Sequence, residues 1–155
     1  MKTENKARRK TTSCGGLPVR KRADGKFEIL LIKQFAHKDS WGIPKGHQHE
    51  KESLEECAKR EVREEAGVMV ELGQRLPNVG VTMRGEDKTV ISWLCTVVGS
   101  EEPRHDDPDS EVADARWFHI DALPTIHQYQ RPLIAAAIDL LMGRSVVLKA
   151  DGTAG

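Results

Sequence analysis

Apolar residues along this chain switch between strand-like and helix-like spacing, and the switches mark its elements. Residues 16–22 and 27–33 read as two strands. The turn between them, Ala23-Asp-Gly-Lys26, suits a hairpin in which the Asp24-Gly25 pair supplies positive φ angles. Trp41-Gly-Ile-Pro-Lys-Gly46 places two glycines and a proline within six residues, so it reads as a loop. Ser53 followed by Glu56 forms a capping box, and Gly67 stands where a helix would end in the left-handed conformation. Together they predict a helix over residues 53–66. Residues 68–81 and 89–98 alternate or run apolar with β-branched side chains, and residues 115–120 form a shorter strand candidate. Residues 131–142 follow with a second helix, Pro132 in its first turn and Gly143 after its end. Strands first, a helix in the middle and a helix at the end predict an α/β fold with a sheet covered on both faces.

Composition narrows the classes of function. The 155 residues suffice for one domain with a single core. Lys+Arg and Asp+Glu are 24 each, so no overall field favours nucleic acid or a membrane surface, and a local site is expected instead. Cys14, Cys57 and Cys95 are odd in number and form no C-x-x-C pair, which argues for reduced thiols over disulfides or a cysteine-based zinc site. No apolar run is long enough for a spanning helix. The N-terminal Lys2, Lys6, Arg8, Arg9 and Lys10 have no hydrophobic segment behind them, unlike a signal peptide. A soluble, cytoplasmic protein is expected, either monomer or homodimer. Residues 1–12 are expected to be a disordered basic tail without a nucleic-acid role, residues 13–148 a single domain, and residues 149–155 a flexible tail.

The middle helix carries the chemistry. With Leu54 at zero and about 100° per residue, Cys57, Ala58 and Val62 fall at roughly −60°, +40° and +80°. On the same wheel Glu61, Glu64 and Glu65 fall at about −20°, −80° and +20°. These acids share the packing face, while Glu55, Glu56, Lys59 and Arg63 occupy the opposite arc and already give the helix a wet surface. Carboxylates at i, i+3 and i+4 turned inward repel one another and lose hydration unless a positive group joins them. Oxygen donors with no neighbouring cysteine favour Mg2+, with Mn2+ as a possible substitute. Arg60, four residues before Glu64, is placed to orient it by an ion pair. Lys45 and His47, with the Gly46 main chain between them, put positive charge and close backbone approach beside the acids, which suits a polyphosphate. A zinc site built on His47 and His49 lacks further ligands of matching softness.

Gly46, five residues, Glu52, seven residues and then Arg60-Glu-Val-Arg-Glu-Glu-Ala-Gly-Val68 resemble the complete Nudix box. The resemblance implies an α/β/α sandwich with a mixed sheet, and a hydrolase in which water attacks phosphorus of a diphosphate. It also implies that Glu61, Glu64 and Glu65 bind Mg2+, that the Gly46 carbonyl completes the shell, and that Glu52 and Arg60 support loop and helix. Glu61 or Glu64 is expected to serve as general base. Family members often add a Glu from a later loop, for which Glu111 is the first candidate here, ahead of Glu101 and Glu102. The acidic stretch around Glu111 is equally readable as a solvated loop.

Pro44-Lys-Gly-His47 resembles the corresponding stretch of diadenosine polyphosphate hydrolases and their diphosphoinositol polyphosphate relatives, with Lys45 and His47 implied to contact phosphates. This chain departs from many members in having His49-Glu50-Lys51 where a Pro-Gly pair often precedes the box glutamate. Tyr129 is either a platform for a nucleobase or an ordinary residue at a helix start. Trp93 and Trp117, each within a strand pattern, are expected in the core. The substrate expected is a small-molecule nucleotide, first a dinucleoside polyphosphate such as diadenosine tetra- or hexaphosphate. ADP-ribose, a nucleotide sugar or a nucleoside triphosphate is the alternative, as is a non-catalytic nucleotide sensor.

Overall fold

The structure is a computed structural model that describes residues 8–104 and 111–155. Its frame is a parallel seam between β1 (Arg9–Lys21) and β6 (Glu86–Val98). Their register runs from Arg9 opposite Glu86 to Val19 opposite Thr96. Each seam strand is long enough to serve two neighbours on its outer edge. The first half of β1 pairs antiparallel with β3 (Lys45–His47), and its second half pairs with β2 (Phe27–Gln34). β6 pairs likewise with β5 (Val79–Met83) and β4 (Met69–Arg75). β7 (Val112–His119) closes the far edge against β2, giving a seven-stranded mixed sheet among the described residues.

Both faces of that sheet are covered, as expected. Along β2 the fully buried run alternates, Leu30 and Ile32 facing α1 (Leu54–Ala66) while Ile29 and Leu31 join the core under α2 (Arg131–Leu141). Strands buried on both faces lose the polar half of their alternation, which is why residues 29–32 are continuously apolar. Trp93 is buried in the α1 layer, and Trp117 packs at its margin with the Arg20 guanidinium 4.4 Å from the ring centre. Cys14, Cys57 and Cys95 are free buried thiols, and burial pushes Cys95 up to about 12.

Four local expectations need correction. Residues 9–12 are not a tail but the start of β1, held by backbone pairing to β6 and by the Thr11 hydroxyl donating to Glu86 Oε1 at 2.6 Å. Backbone pairing needs no apolar side chains, so a polar composition did not announce it. Residues 1–7, the rest of that expected tail, lie outside the described residues. Residues 149–155 fold back rather than trail away: Leu148 bridges to Ala154, and Asn78 N donates to Gly152 O at 2.6 Å. In the first hairpin only Gly25 takes a positive φ, at 83°, because Asp24 instead uses its side chain to accept from Lys26 N at 3.0 Å. The single stretch 68–81 is two strands, interrupted at Pro77, which cannot donate to a ladder.

The close fit of α1 depends on a missing side chain. A Cβ on Gly16 would lie 2.5 Å from Cys95 Sγ and 3.0 Å from Val62 Cγ2. Among the described residues no helix is long and apolar enough to cross a membrane. Gly16→Val should push α1 off the sheet and cost about 1–3 kcal/mol. Urea unfolding would register this as a lower midpoint, and an unchanged midpoint would show that the interface has spare room.

Candidate active site

Local chemistry sets the helix that presents the acids. The Ser53 hydroxyl accepts from Glu56 N at 3.0 Å, and Gly67 ends the helix with φ 73°. Small residues, Cys57, Ala58, Val62 and Ala66, seat α1 on the sheet. Glu61 lies buried among them at 8% exposure, whereas Glu55, Glu56, Lys59 and Arg63 face solvent. The inward face read from the sequence is therefore the one observed.

β3 brings main chain to this face. Gly46 pairs with Cys14 of β1, and a Cβ on Gly46 would overlap the Glu61 carboxylate. Only glycine permits that approach. The Cys57 thiol donates to the Gly46 carbonyl at 3.6 Å.

Arg60 is the hub of the cluster. Its Nε and Nη2 donate to the two Glu52 oxygens at 2.6 and 3.0 Å, a bidentate pair. Its Nη1 donates to Glu61 at 2.8 Å and Glu64 at 3.1 Å, and Nη2 also donates to the His47 carbonyl at 3.0 Å. Glu52 in turn accepts from His49 N at 3.0 Å, fixing the loop where a Pro-Gly pair is absent. This hydrogen bonding to Arg60 holds the Glu52 carboxyl down at about 2. Burial acts oppositely on Glu61 and raises its pKa despite the same guanidinium. Glu65 accepts from Lys45 N at 2.6 Å but has no guanidinium, and burial pushes it up to about 8.

These groups line an acidic cleft of about 280 Å³ that holds Lys45, Gly46, His47, Glu61, Glu64 and Glu65, with Glu111 at its edge. His47 is exposed within it, Nε2 3.4 Å from Glu86 Oε1. Next to it opens a larger cleft of about 940 Å³ containing His127 and Tyr129. Gln34, Lys45, Lys88 and Glu111 line both. Tyr129 sits on a single 3₁₀ turn, Gln128–Gln130, its ring half-buried and 6.1 Å from His127 at an interplanar angle of 24°. Glu101 is elsewhere: its carbonyl accepts from Trp117 Nε1 at 2.8 Å and its carboxylate lies 3.7 Å from Arg20. Neither Glu101 nor Glu102 lines either cleft.

Three residues of this region were not singled out in the sequence. Gln130 is buried, accepting from Ile43 N at 2.8 Å and donating to the Tyr129 hydroxyl at 2.9 Å, so it ties the Trp41–Lys45 segment to the aromatic turn. Ser13 and Lys88 come from strands that flank the acidic cleft. No box motif marks these positions; only the strand period could have hinted at them.

The donor set fits a hard divalent cation. Glu61, Glu64 and Glu65 supply carboxylate oxygens and Gly46 a carbonyl, and the buried Ser13 hydroxyl in the same cleft has no hydrogen-bond partner among the described residues. Three carboxylates, Glu52, Glu61 and Glu64, share the Arg60 guanidinium, and Glu65 beside them has none, so negative charge remains in excess. Among the described residues no preformed cage of three acid, His or Cys side chains is present, and Glu61 and Glu64 are both held by Arg60 Nη1.

Without a cation, the raised Glu65 pKa contributes stability that is complete below the ordinary carboxylate range and lost as pH rises through about 8. A divalent cation held at Glu65 would replace that proton, so the thermal shift given by saturating Mg2+ should grow as pH rises toward about 8. Glu65→Gln should flatten the dependence. A Mg2+ shift independent of pH in the unaltered protein would contradict this account of Glu65.

Comparisons with known proteins agree with the geometry. A family model for the NUDIX domain matches residues 15–137. The chain is 27% identical over 121 residues to diphosphoinositol polyphosphate phosphohydrolase 3-alpha of Mus musculus, an alignment covering 77% of this chain and 72% of that protein. It is 29% identical over 134 residues to an 8-oxo-(d)GTP phosphatase of Mycolicibacterium smegmatis, covering 83% of this chain and 39% of that one. Its fold superposes on the crystal structure of a MutT NUDIX hydrolase from Burkholderia pseudomallei with a TM-score of 0.68 and 30% identity, covering 82% of this chain and 97% of the other. With the family model spanning most of the chain, the protein belongs to the Nudix family of pyrophosphohydrolases, enzymes that act on nucleotide-type substrates and generally use divalent metal ions.

Proposed function

We propose that this enzyme hydrolyses a diphosphate bond of a dinucleoside polyphosphate with Mg2+ as its working cation. The observation that carries the reading is the continuity of the two clefts: an acidic one of about 280 Å³ opens into one of about 940 Å³ holding His127 and Tyr129. A phosphate chain would lie in the first and cross the shared boundary, and a nucleoside would occupy the second, its base against the Tyr129 ring.

Glu61, Glu64, Glu65 and the Gly46 carbonyl would hold the Mg2+, which when bound supplies positive charge against the phosphates and makes water easier to deprotonate. The chain's own groups do the rest. Lys45 and His47 hold phosphate oxygens. Glu64, at 40% side-chain exposure against 11% for Glu61 and with the longer guanidinium contact, 3.1 Å against 2.8 Å, is favoured over Glu61 as the base that takes the proton from water. The water oxygen bonds to phosphorus, the bridging P–O bond breaks, and the electron pair leaves on the departing phosphate. Glu52 and Arg60 act as positioning residues, bracing the loop against the helix. Glu111, at the boundary of both clefts, is placed to touch the same phosphates through water.

A nucleoside triphosphate is the second reading, favoured by the similarity to a protein named as an 8-oxo-(d)GTP phosphatase. Chromatography of products from diadenosine tetra- and hexaphosphate, ADP-ribose and the four deoxynucleoside triphosphates decides between them. The dinucleoside polyphosphates should give the highest kcat/KM, and inactivity toward them would remove the proposal. Glu64→Gln should lower kcat by about a hundredfold or more while Tm moves little. A near-normal kcat in that variant would reassign the base.

A further inference from the structure

The two ends of the Gln130 amide are told apart by what each one meets. Ile43 N can only donate, so the amide oxygen must face it, and Ile43 N donates to Gln130 Oε1 at 2.8 Å. The amide nitrogen is left to donate to the Tyr129 hydroxyl oxygen at 2.9 Å. Gly42 makes room for this amide: a Cβ there would come 2.7 Å from Oε1 and 2.8 Å from Nε2. Backbone bonds hold the two segments in register, Trp41 N donating to Thr125 O at 2.8 Å and His127 N to Trp41 O at 3.0 Å. At 1% exposure Gln130 does not serve solvent, and a buried amide bonded at both ends fixes its neighbours.

A phenol oxygen that accepts from an amide keeps its own proton to give. Among the described residues the Tyr129 hydroxyl has no second hydrogen-bond partner. A hydroxyl ordinarily turns to suit whatever it meets, donor or acceptor. Here Gln130 has made that choice, and Tyr129 is left as a donor. Tyr129 is half-buried and lines the larger cleft together with Gly42, Ile43 and Gln130. The neighbouring Ser40 hydroxyl and His127 Nδ1, 2.9 Å apart, set no such polarity, because their donor and acceptor roles can be exchanged.

We propose that the Tyr129 hydroxyl donates its proton to an acceptor atom of the bound nucleoside, and that Gln130 is the positioning residue that fixes this polarity. This rests on the reading of the larger cleft as the nucleoside's place. A nucleoside seated there displaces the water that would otherwise take the proton, and must offer a ring nitrogen, a carbonyl or a ribose oxygen instead. An amino group at the same point sets donor against donor and is refused. The chain from Ile43 N through the amide to the phenol also ties this contact to the segment that continues into Lys45 and Gly46.

Calorimetric titration with diadenosine tetraphosphate and with inorganic tripolyphosphate, in Ca2+ to slow turnover, separates nucleoside contacts from phosphate contacts. Tyr129→Phe, which keeps the ring, should weaken the first ligand about fivefold and leave the second alone. Unchanged binding of diadenosine tetraphosphate by Tyr129→Phe overturns the inference. Gln130→Glu tests the positioning role in alkaline buffer, where the introduced carboxylate accepts from both Ile43 N and the phenol and so takes the proton meant for the ligand. It should also lose about fivefold, and adding Tyr129→Phe should cost nothing more. An absent loss, or losses that add, overturn the role of Gln130. Gln130→Met, which leaves the phenol free to turn, serves should the carboxylate disturb folding, and its loss should likewise vanish in the Tyr129→Phe background. Tyr129→Ala judges the underlying reading. Weaker binding in Tyr129→Ala but not in Tyr129→Phe keeps the nucleoside in the cleft and sinks the hydroxyl contact, and no weakening in either sinks both. Weaker binding in Tyr129→Phe with no turnover of diadenosine tetraphosphate by the unaltered enzyme sinks the substrate and spares the contact.

Discussion

The Arg60 guanidinium is the interaction on which the site depends. A helix face that packs against a sheet ordinarily spends every inward position on apolar side chains. Here Glu61 takes one of them, at 8% exposure. Its burial is tolerable because Arg60 reaches it while also closing a bidentate pair with Glu52 and touching Glu64. A guanidinium has enough donors in a fixed fork to serve three carboxylates and a carbonyl, which an ammonium does not. Removing it would leave buried charge uncompensated, a far larger loss than that of one surface ion pair. Glu65, beyond its reach, shows what that costs in this fold: its proton is retained up to about 8.

The sheet decides what meets that helix. β1 is shared along its outer edge between β3 and β2, so the same strand that supplies Cys14 and Gly16 beneath α1 also pairs with Gly46. Loop and seam are therefore positioned by one strand's backbone bonds, while side chains of α1, Arg60 and Glu65 among them, hold the loop from the other side. Small residues complete the arrangement. Gly16 lets α1 come close, and Gly46 lets the main chain lie against Glu61. The parallel partner β6 then carries Lys88 to the opposite side of β1 at a height set by the Thr11 register.

Where a sequence signal is local, it was legible. The bounds of α1 were readable from Ser53, Glu56 and Gly67, whose roles act within one turn, and the inward placement of Glu61 and Glu65 followed from helical period alone. The covered sheet was likewise visible in the apolar run of β2. Signals that depend on partners far along the chain were not. Arg9–Thr12 have no apolar pattern, and their strand exists because β6 extends back to Glu86. The break near Pro77 separates two strands that keep the same partner, so alternation ran across it unremarked. Gln130 looks like any polar residue before a helix until its amide is seen to join Ile43 to Tyr129, across 87 positions from residue 43.

That division between local and distant signals has a chemical counterpart. The groups able to hold a cation, Glu61, Glu64, Glu65 and Gly46, come from one short stretch whose spacing is fixed by a helix and the strand before it. Groups that line the larger cleft, such as Lys88, His127 and Tyr129, come from separate elements and are joined only there. A change in β6 or in the 3₁₀ turn can therefore alter what is bound without disturbing the guanidinium and its acids. Proteins sharing the compact part need not share a substrate. Charge ties the two parts together even so: Lys45, Lys88 and Glu111 line both clefts, so a charge brought into one is felt in the other.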